Sequence, residues 1–157
     1  MRIVAIVQAR MGSSRLPGKA LRGLAGRPML AHVLERVRYV PGIQSVVLAT
    51  SDAERDRALS VVASDQNIWT HYGSEWDVLS RVYEAAQIAR AEAVLRVTAD
   101  CPFFDPMVGG IVVQQFLLKG VDYVWNDTSS SGFPDGLDAE VFSLEALKLA
   151  SEQATRR

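Results

Sequence analysis

Short apolar runs alternate along this chain with segments in which apolar residues recur every three or four positions. The runs are bounded by turn-forming residues and predict strands at residues 3–7, 45–50, 68–72, 93–97, 122–125 and 139–142. The periodic segments predict helices after Pro28, over about 53–64, from Ser74 or Glu75 to about 90, from Asp105 to 119, and from 144 to the last residue.

This alternation predicts an α/β fold. Repeated strand–helix–strand units require parallel pairing, right-handed crossovers and helices on both faces of the sheet. In such sheets, ligands bind beyond the carboxyl ends of the strands. Three segments that leave predicted strands are residues 8–19, 50–52 and 98–101. We therefore expect these segments to meet along one rim of the sheet.

The cationic side chains are concentrated where the first of these segments lies. Six of the 17 Lys and Arg residues precede Glu35, the first carboxylate, and they are Arg2, Arg10, Arg15, Lys19, Arg22 and Arg27. Three of the six fall in residues 8–19, which we call the glycine loop. A strand that opens into such a loop offers backbone N–H groups and fixed positive charge to a phosphate. The sequence therefore predicts a polyphosphate site.

The glycine loop does not match two common nucleotide-binding motifs. A Walker A loop requires G-x-x-x-x-G-K-[ST]. Here five residues separate Gly12 from Gly18, and Ala20 stands where the hydroxyl is required. The dinucleotide fingerprint G-x-G-x-x-G is also absent. These differences exclude a P-loop NTPase and argue against a dinucleotide-binding domain.

Length and composition narrow the class of protein. The 157 residues fit a single domain, 1–157, and the net charge of −1 argues against broad nucleic-acid binding. No apolar run approaches the ~20 residues of a membrane span. The single cysteine, Cys101, excludes an internal disulfide and fits a reducing compartment. We expect a cytoplasmic protein with no nucleic-acid or membrane partner. The last predicted helix has no Gly or Pro stop, as in a shortened chain or one domain of a longer protein.

The glycine loop and the two residues after it, QARMGSSRLPGKAL at 8–21, resemble the signature of the cytidylyltransferases that make CMP-activated sugar acids. The likeness is strongest to the acylneuraminate and spore-coat polysaccharide branch and more distant to 3-deoxy-manno-octulosonate cytidylyltransferase. Further motifs of the family follow in the expected order: GRPM at 26–29, ATS at 49–51, GSEWDVLSR at 73–81, RVTADCP at 96–102 and FPDGLDAEVF at 133–142. The resemblance implies a three-layer Rossmann-like nucleotidyltransferase fold with a mostly parallel sheet, CTP as substrate and Mg²⁺ as cofactor. It also implies a homodimer or fusion to a second catalytic domain.

The resemblance implies roles for single residues as well. The nucleotide-binding positions carried over from the family are Gln8, Ala9, Arg10, Met11, Gly12, Ser13, Arg15, Lys19, Thr50, Ser74, Asp77 and Thr98. The catalytic positions are Arg10, Arg15, Lys19 and Asp100. Cations fixed beside the β- and γ-phosphates would stabilise the departing pyrophosphate. For Ser74, Asp77 and Arg81 the alternative is a helix cap with a surface ion pair.

Side chains in the second half of the chain are candidates for the metal and the acceptor. Asp100 would bind Mg²⁺, which usually takes one or two protein carboxylates, or it is a turn-forming aspartate. Asp138 and Glu140 lie two apart on a predicted strand and so share a face. They would bind the acceptor together with Asn126, and Asp138 is also a candidate metal ligand. Relatives carry a second metal-binding aspartate further on. Either Asp138 or Glu140 replaces it, or Asp100 and the phosphates hold the magnesium alone, or the chain is an incomplete piece of a longer protein.

The prediction is a CTP-dependent cytidylyltransferase. An acceptor oxygen would attack the α-phosphorus of CTP, pyrophosphate would leave, and a CMP conjugate would form. The acceptor would be a sugar acid or a small phosphonate or phosphate. The alternatives are a non-catalytic CTP-binding module and a nucleotidyltransferase that uses another nucleoside triphosphate. Cys101 is expected to be packed, since no histidine lies near it in sequence to activate a thiolate.

Overall fold

The structure is a computed structural model, and it describes residues 1–12, 16–126, 129–130 and 132–154. The strands in those residues are β1 (Ile3–Gln8), β2 (Gly23–Leu24), β3 (Arg27–Pro28), β4 (Ser45–Ser51), β5 (Trp69–Gly73), β6 (Ala93–Thr98), β7 (Tyr123–Trp125) and β8 (Glu140–Ser143). The α-helices are α1 (Met29–Val37), α2 (Arg57–Ser64), α3 (Val78–Ile88), α4 (Pro106–Lys119) and α5 (Leu144–Gln153). Two 3₁₀ turns, Lys19–Leu21 and Glu54–Asp56, follow β1 and β4.

Six of the strands form one sheet in the order β5-β4-β1-β6-β8-β7. Strands β5, β4, β1 and β6 are parallel, whereas β8 runs antiparallel to β6 and β7 runs antiparallel to β8. Strands β2 and β3 form a separate antiparallel ribbon that the sequence pattern did not predict. The predicted α/β fold with a mostly parallel central sheet is confirmed.

Helices cover both faces of this sheet, as the fold requires. Alternate residues of a strand point to opposite faces. Ile3, Ala5 and Val7 pack with apolar residues of α1, α2 and α4, whereas Val4 and Ile6 pack with those of α3 and α5. These five side chains, out of the six in β1, are at most 1% exposed. The strand is therefore buried on both sides, which explains its continuous apolar sequence.

Two helices begin later than the sequence pattern predicts. The segment after β4 first forms the 3₁₀ turn Glu54–Asp56, and α2 starts only at Arg57. Helix α3 starts at Val78, because the Asp77 carboxylate accepts a hydrogen bond of 2.9 Å from Ser80 N and caps the helix. The predicted start of α3 at Ser74 or Glu75 is therefore too early.

Helix α4 has the predicted bounds and is the longest helix in the described residues, with 14 residues. The Asp105 carboxylate caps its first turn by accepting a hydrogen bond of 2.7 Å from Met107 N, and Pro106 occupies the first turn. Across the described ranges, no helix combines the length and the apolar character needed to cross a membrane.

The chain order creates a crevice at the carboxyl ends of β1 and β6. From β1 the chain continues to β4 and β5 on one side, and it then returns to β6 on the other side of β1. The last residues of these two strands, Gln8 and Thr98, are neighbours in register. Such a reversal of strand order is where α/β sheets bind ligands. The segments predicted to share a rim leave the sheet at this edge.

Candidate functional site

A cavity of about 300 Å³, which we call the rim pocket, opens at this crevice. The glycine loop, the start of α3 and the segment after β6 supply its lining residues, which are Gln8, Ala9, Arg10, Lys19, Ala20, Val78, Arg81, Thr98, Ala99 and Asp100. Six of these ten were predicted as nucleotide-binding or catalytic residues: Gln8, Ala9, Arg10, Lys19, Thr98 and Asp100. The fold therefore brings together residues from distant parts of the sequence.

The glycine loop closes on itself beside the rim pocket. Gly18 N donates a hydrogen bond of 3.0 Å to Met11 O. Gly18 has a φ of 71°, in the left-handed region that residues with a Cβ rarely adopt. Lys19 follows directly, in the 3₁₀ turn that ends the loop. The predicted site residues Ser13 and Arg15 lie outside the described residues.

Lys19 and Asp100 form an ion pair in the wall of the rim pocket. Lys19 Nζ donates a hydrogen bond of 2.7 Å to Asp100 Oδ2, and the two side chains are 29% and 42% exposed. Burial acts to raise the pKa of Asp100, but hydrogen bonds from Lys19 and Thr98 outweigh it and bring the pKa below the usual 3.8. Asp100 is therefore ionised at neutral pH and is accessible to a ligand in the pocket.

Two arginines add positive charge to the rim pocket. Arg10 is exposed, whereas Arg81 is only 1% exposed and donates a hydrogen bond of 2.5 Å from Nη1 to Ser74 O. Burial and the charge of Arg10 lower the pKa of Arg81, and Asp56, Asp77 and Glu75 partly offset them. Arg81 is thus an internal cation of the pocket wall, which corrects the alternative of a surface ion pair.

A buried carboxylate that the sequence analysis did not single out holds the glycine loop in place. Asp56 has no exposed surface, and its Oδ1 accepts a hydrogen bond of 2.7 Å from Met11 N. Its Oδ2 accepts a second hydrogen bond from Ser51 Oγ. A signal for this role exists in the sequence, since Asp56, Leu59 and Ala63 follow the i, i+3, i+7 spacing of a buried helix face. An acid on such a face requires hydrogen-bond partners inside the protein.

Several predicted nucleotide-binding residues do not line the rim pocket. Thr50 has no exposed surface, because β4 continues to Ser51 and β5 pairs alongside. Ser74 and Asp77 act as caps: Ser74 Oγ accepts a hydrogen bond of 3.1 Å from Asp77 N, and Asp77 caps α3. Met11 and Gly12 lie in the glycine loop outside the lining residues.

Cys101 is buried next to the rim pocket, with its Sγ 3.2 Å from Thr98 Oγ1. Burial raises the pKa of the Cys101 thiol, and the charges of Asp100, Asp138 and Asp135 raise it further. A thiol with a raised pKa stays protonated and is a poor nucleophile. The prediction that Cys101 is packed is confirmed.

A smaller cavity of about 180 Å³, which we call the side pocket, adjoins the rim pocket at Thr98. Its lining residues are Arg96, Thr98, Trp125, Asn126, Asp138, Ala139 and Glu140. The three predicted acceptor-binding residues, Asn126, Asp138 and Glu140, therefore lie around one cavity, beside the rim pocket.

Backbone hydrogen bonds engage two of these acceptor-side residues. Asn126 Nδ2 donates a hydrogen bond of 2.8 Å to Leu137 O, and its Oδ1 accepts one of 2.6 Å from Ala139 N. The buried Asn126 amide therefore links the end of β7 to the segment that precedes β8, beside the side pocket. The Asp138 carboxylate is exposed and accepts a hydrogen bond of 3.1 Å from Gly136 N. Asn126 therefore shapes the side pocket through the backbone, and Asp138 keeps an accessible carboxylate there.

Arg96 connects the side pocket with the rim pocket. Its guanidinium pairs with Glu140 Oε1, and its Nη1 donates a hydrogen bond of 3.2 Å to Gln8 Oε1. Tyr123 Oη donates a hydrogen bond of 2.7 Å to Glu140 Oε2. Burial and this hydrogen bond raise the pKa of Tyr123 to about 12. Glu140 is thus held by two partners, one on each carboxylate oxygen.

Comparisons with known proteins identify the family of this chain. The sequence profile of the family described as cytidylyltransferase matches residues 4–156 of this chain. The spore coat polysaccharide biosynthesis protein SpsF of Bacillus subtilis (strain 168) is 37% identical over 127 residues, which are 78% of this chain and 53% of that protein. The 3-deoxy-manno-octulosonate cytidylyltransferase of Trichlorobacter lovleyi is 34% identical over 117 residues, which are 74% of this chain and 46% of that protein.

A solved structure gives the same result for the fold. A cytidylyltransferase from Leptospira borgpetersenii serovar Hardjo-bovis superposes with a TM-score of 0.92 and 28% identity, over 98% of this chain and 65% of that one. The chain thus spans about half to two thirds of the length of these three proteins. Because the family profile covers nearly the whole chain, this chain belongs to the cytidylyltransferase family.

Proposed function

We propose that this chain binds CTP in the rim pocket and transfers CMP to an acceptor oxygen, with release of pyrophosphate. One observation carries the proposal: Lys19 and Asp100 meet at 2.7 Å in a pocket that Arg10 also lines. At the carboxyl edge of a parallel sheet, the cation can bind a triphosphate and the neighbouring carboxylate can bind its metal ion. The names of the relatives support cytidylyl transfer as the reaction.

The cations would act on the leaving group. Displacement at the α-phosphorus builds negative charge on the departing pyrophosphate, and cations already in place stabilise that charge without reorganisation. Lys19 and Arg10 line the rim pocket and would supply this charge, together with N–H groups of the glycine loop. In the bound state Lys19 would exchange its Asp100 partner for phosphate oxygens. Arg15 remains a predicted member of this group.

Magnesium fits the carboxylates of this region. The described part of the chain contains no group of three or more His, Cys, Asp or Glu side chains that could hold a metal ion. Magnesium does not require one, since it usually takes one or two protein carboxylates and completes its shell with water and phosphate oxygens. Asp100, ionised and accessible, and Asp138 would hold it. Bound there, the ion would neutralise charge on the triphosphate oxygens.

The side pocket would receive the acceptor. It touches the rim pocket at Thr98, so an acceptor oxygen in it would face a nucleotide bound next door. Arg96 in its wall offers positive charge to an anionic acceptor, and its guanidinium is fixed between Gln8 and Glu140. We propose a sugar acid, whose carboxylate would be held by Arg96. The names of the relatives support this class.

The test combines nucleotide binding with turnover. Calorimetric titration with Mg²⁺ should show that the wild type binds CTP more tightly than GTP or UTP, and that Lys19→Ala weakens CTP binding. Pyrophosphate release is then measured with 3-deoxy-manno-octulosonate, an acylneuraminate and a hydroxyalkylphosphonate. Release with a sugar acid supports the proposal. Turnover only with the phosphonate would replace the acceptor, and CTP binding without release for any acceptor would indicate a non-catalytic binding module.

A further inference from the structure

Helix α4 is apolar on its outer side as well as on the side that packs against the core. Val112, Val113 and Phe116 belong to the hydrophobic core. No charged residue occurs over residues 106–118. Six large apolar residues in and beside the helix are 41–72% exposed, and we call them the α4 face: Phe103, Met107, Ile111, Leu117, Leu118 and Val121. A helix that is apolar all round is typical of one that is covered on all sides.

The area of the α4 face is close to what one subunit contributes to a stable dimer. With side-chain areas of about 150–200 Å², the exposed fractions of the six residues amount to roughly 600 Å². A standard interface buries about 800 Å² on each partner, with an apolar centre and a polar rim. Exposed polar neighbours such as Gln114 and Lys119 would supply the remaining area. A second copy of the chain would cover the face with an equal apolar surface.

The spacing along α4 fits the contact seam of two paired helices. Met107, Ile111, Gln114 and Leu118 are all exposed, and they recur at intervals of four, three and four positions. This is the spacing with which helices pack side by side. A two-fold axis between Ile111 and Gln114 would place Met107 of one copy beside Leu118 of the other. The same residues would then meet on both sides of the axis, as a symmetric dimer requires.

The charges at the two ends of α4 favour an antiparallel pair. Asp105 directly precedes the helix, and Lys119 is its last residue. In an antiparallel pair, Asp105 of each copy would lie near Lys119 of the other, whereas a parallel pair would bring like charges together. The partial charges of the helix termini would also be offset by the opposite ends of the second helix.

We propose that a second copy of this chain docks on the α4 face, with the two α4 helices antiparallel about a two-fold axis. The apolar area, the seam spacing and the charges at the helix ends all fit this one occupant. The proposal concerns assembly, so its test does not depend on which nucleotide the rim pocket binds.

The first test measures the mass of the wild type and two variants by sedimentation equilibrium at micromolar concentrations. The wild type should have twice the 17.2 kDa mass of one chain. Ile111→Glu should raise the dissociation constant of the dimer by about 30-fold or more, as expected for a residue at the centre of an interface. Ile88→Glu is the matched control, because Ile88 is an exposed isoleucine at the end of α3, on the other face of the sheet. Circular dichroism checks that both variants fold.

The second test measures the direction of the helix pair by disulfide cross-linking in a Cys101→Ala background. Met107 and Leu118 of different copies would lie side by side, so the double variant Met107→Cys/Leu118→Cys should form a covalent dimer on oxidation. Two copies of either residue alone would be about 16 Å apart along the helix axis, too far for a disulfide. The two single variants should therefore stay uncoupled.

Several results would overturn the proposal. A wild type with the mass of one chain would leave the α4 face without a second copy. A dimer that survives Ile111→Glu, or that Ile88→Glu disrupts equally, would lie on another surface. If Ile111→Glu does not fold, the cysteine variants decide. A covalent dimer from a single variant, or none from the double variant, would contradict the antiparallel pair.

Discussion

Lys19 Nζ lies 2.7 Å from Asp100 Oδ2, although the two residues are 81 positions apart in the chain. This ion pair joins the glycine loop after β1 to the segment after β6, across the crevice between those strands. The cation and the carboxylate of the proposed reaction therefore come from opposite sides of the crevice and meet across it.

Loss of the Lys19 ammonium should reduce turnover more than it reduces stability. Lys19→Ala removes a charge that would stabilise the departing pyrophosphate, and the rate should fall on the order of 10²–10³-fold. The ion pair is partly exposed, so thermal unfolding should change little. Pyrophosphate release and thermal melts of the same preparations measure the two effects. Lys148→Ala, an exposed change on α5, is the matched control. An equal loss of turnover in the control would contradict the assignment.

The Asp100 carboxylate should remain ionised across the working pH range. Its pKa in the folded protein lies below 3.8, so ionisation favours the folded state. That contribution is present above about pH 4 and is lost as the pH falls through the lowered folded-state pKa. We expect no titration of Asp100 between pH 5 and 8. Lys19→Ala removes one of the hydrogen bonds that lower the pKa of Asp100, so that pKa should rise in this variant. Carboxyl NMR titrations of wild type, Lys19→Ala and Asp100→Asn check this, since the Asp100 signal is the one missing in Asp100→Asn.

Much of the fold follows from the sequence because β1, β4 and β6 are buried on both faces and so require uninterrupted apolar runs. The carboxyl ends of β1 and β6 coincide with the change from apolar to polar residues at Gln8 and Thr98. Because parallel strands end at the same edge of a sheet, the segments that follow them share one rim. Lys19 could therefore be expected to lie near Asp100. The later start of α3 could not, because it depends on which of two possible caps, Ser74 or Asp77, closes the helix.

The internal polar residues were less predictable. Asp56, Arg81 and Asn126 each belong to a type that is usually exposed, and their hydrogen bonds reach partners that only the folded chain brings close. Asp56 binds Met11, 45 residues away, and Arg81 binds a carbonyl seven residues away, around the cap of α3. Tertiary contacts therefore decide these roles, and spacing alone identifies at most the buried face on which Asp56 lies.

Asp56 should matter for both stability and nucleotide affinity. Asp56→Asn keeps the volume but removes the charge to which Met11 N and Ser51 Oγ donate, and it should cost about 1–3 kcal/mol of unfolding free energy. The glycine loop would also lose its anchor, so CTP binding should weaken. Urea unfolding and calorimetry measure the two effects. Asp65→Asn, at an exposed acid just after α2, is the control. Unchanged stability in Asp56→Asn would show that the loop is held by other contacts.

The Cys101 thiol should be slow to react and dispensable for turnover. Burial and three nearby carboxylates raise its pKa, so the reactive thiolate is scarce at neutral pH. Alkylation of the native protein with iodoacetamide should be much slower than alkylation of the urea-unfolded chain. Cys101→Ala should retain wild-type pyrophosphate release within a few fold. Rapid native alkylation, or loss of turnover in a folded Cys101→Ala protein, would reopen a nucleophilic role.

Tyr123 should resist ionisation because its surroundings favour the protonated phenol. Burial and the hydrogen bond to Glu140 raise the pKa of Tyr123 from its usual 10.0 to about 12. The protonated phenol therefore favours the folded state, a contribution that is complete below about pH 10 and is lost as the pH rises through about 12.

Tyrosinate absorbance, compared between wild type and Tyr123→Phe, isolates this one group among the four tyrosines of the chain. Glu140→Gln removes the negative charge beside the phenol, so the difference titration should move toward 10.0. Tyr39→Phe, at an exposed tyrosine, is the control and should leave the transition of Tyr123 unchanged. A wild-type difference titration centred at the usual 10.0 would mean that Glu140 is not the partner of Tyr123 in solution.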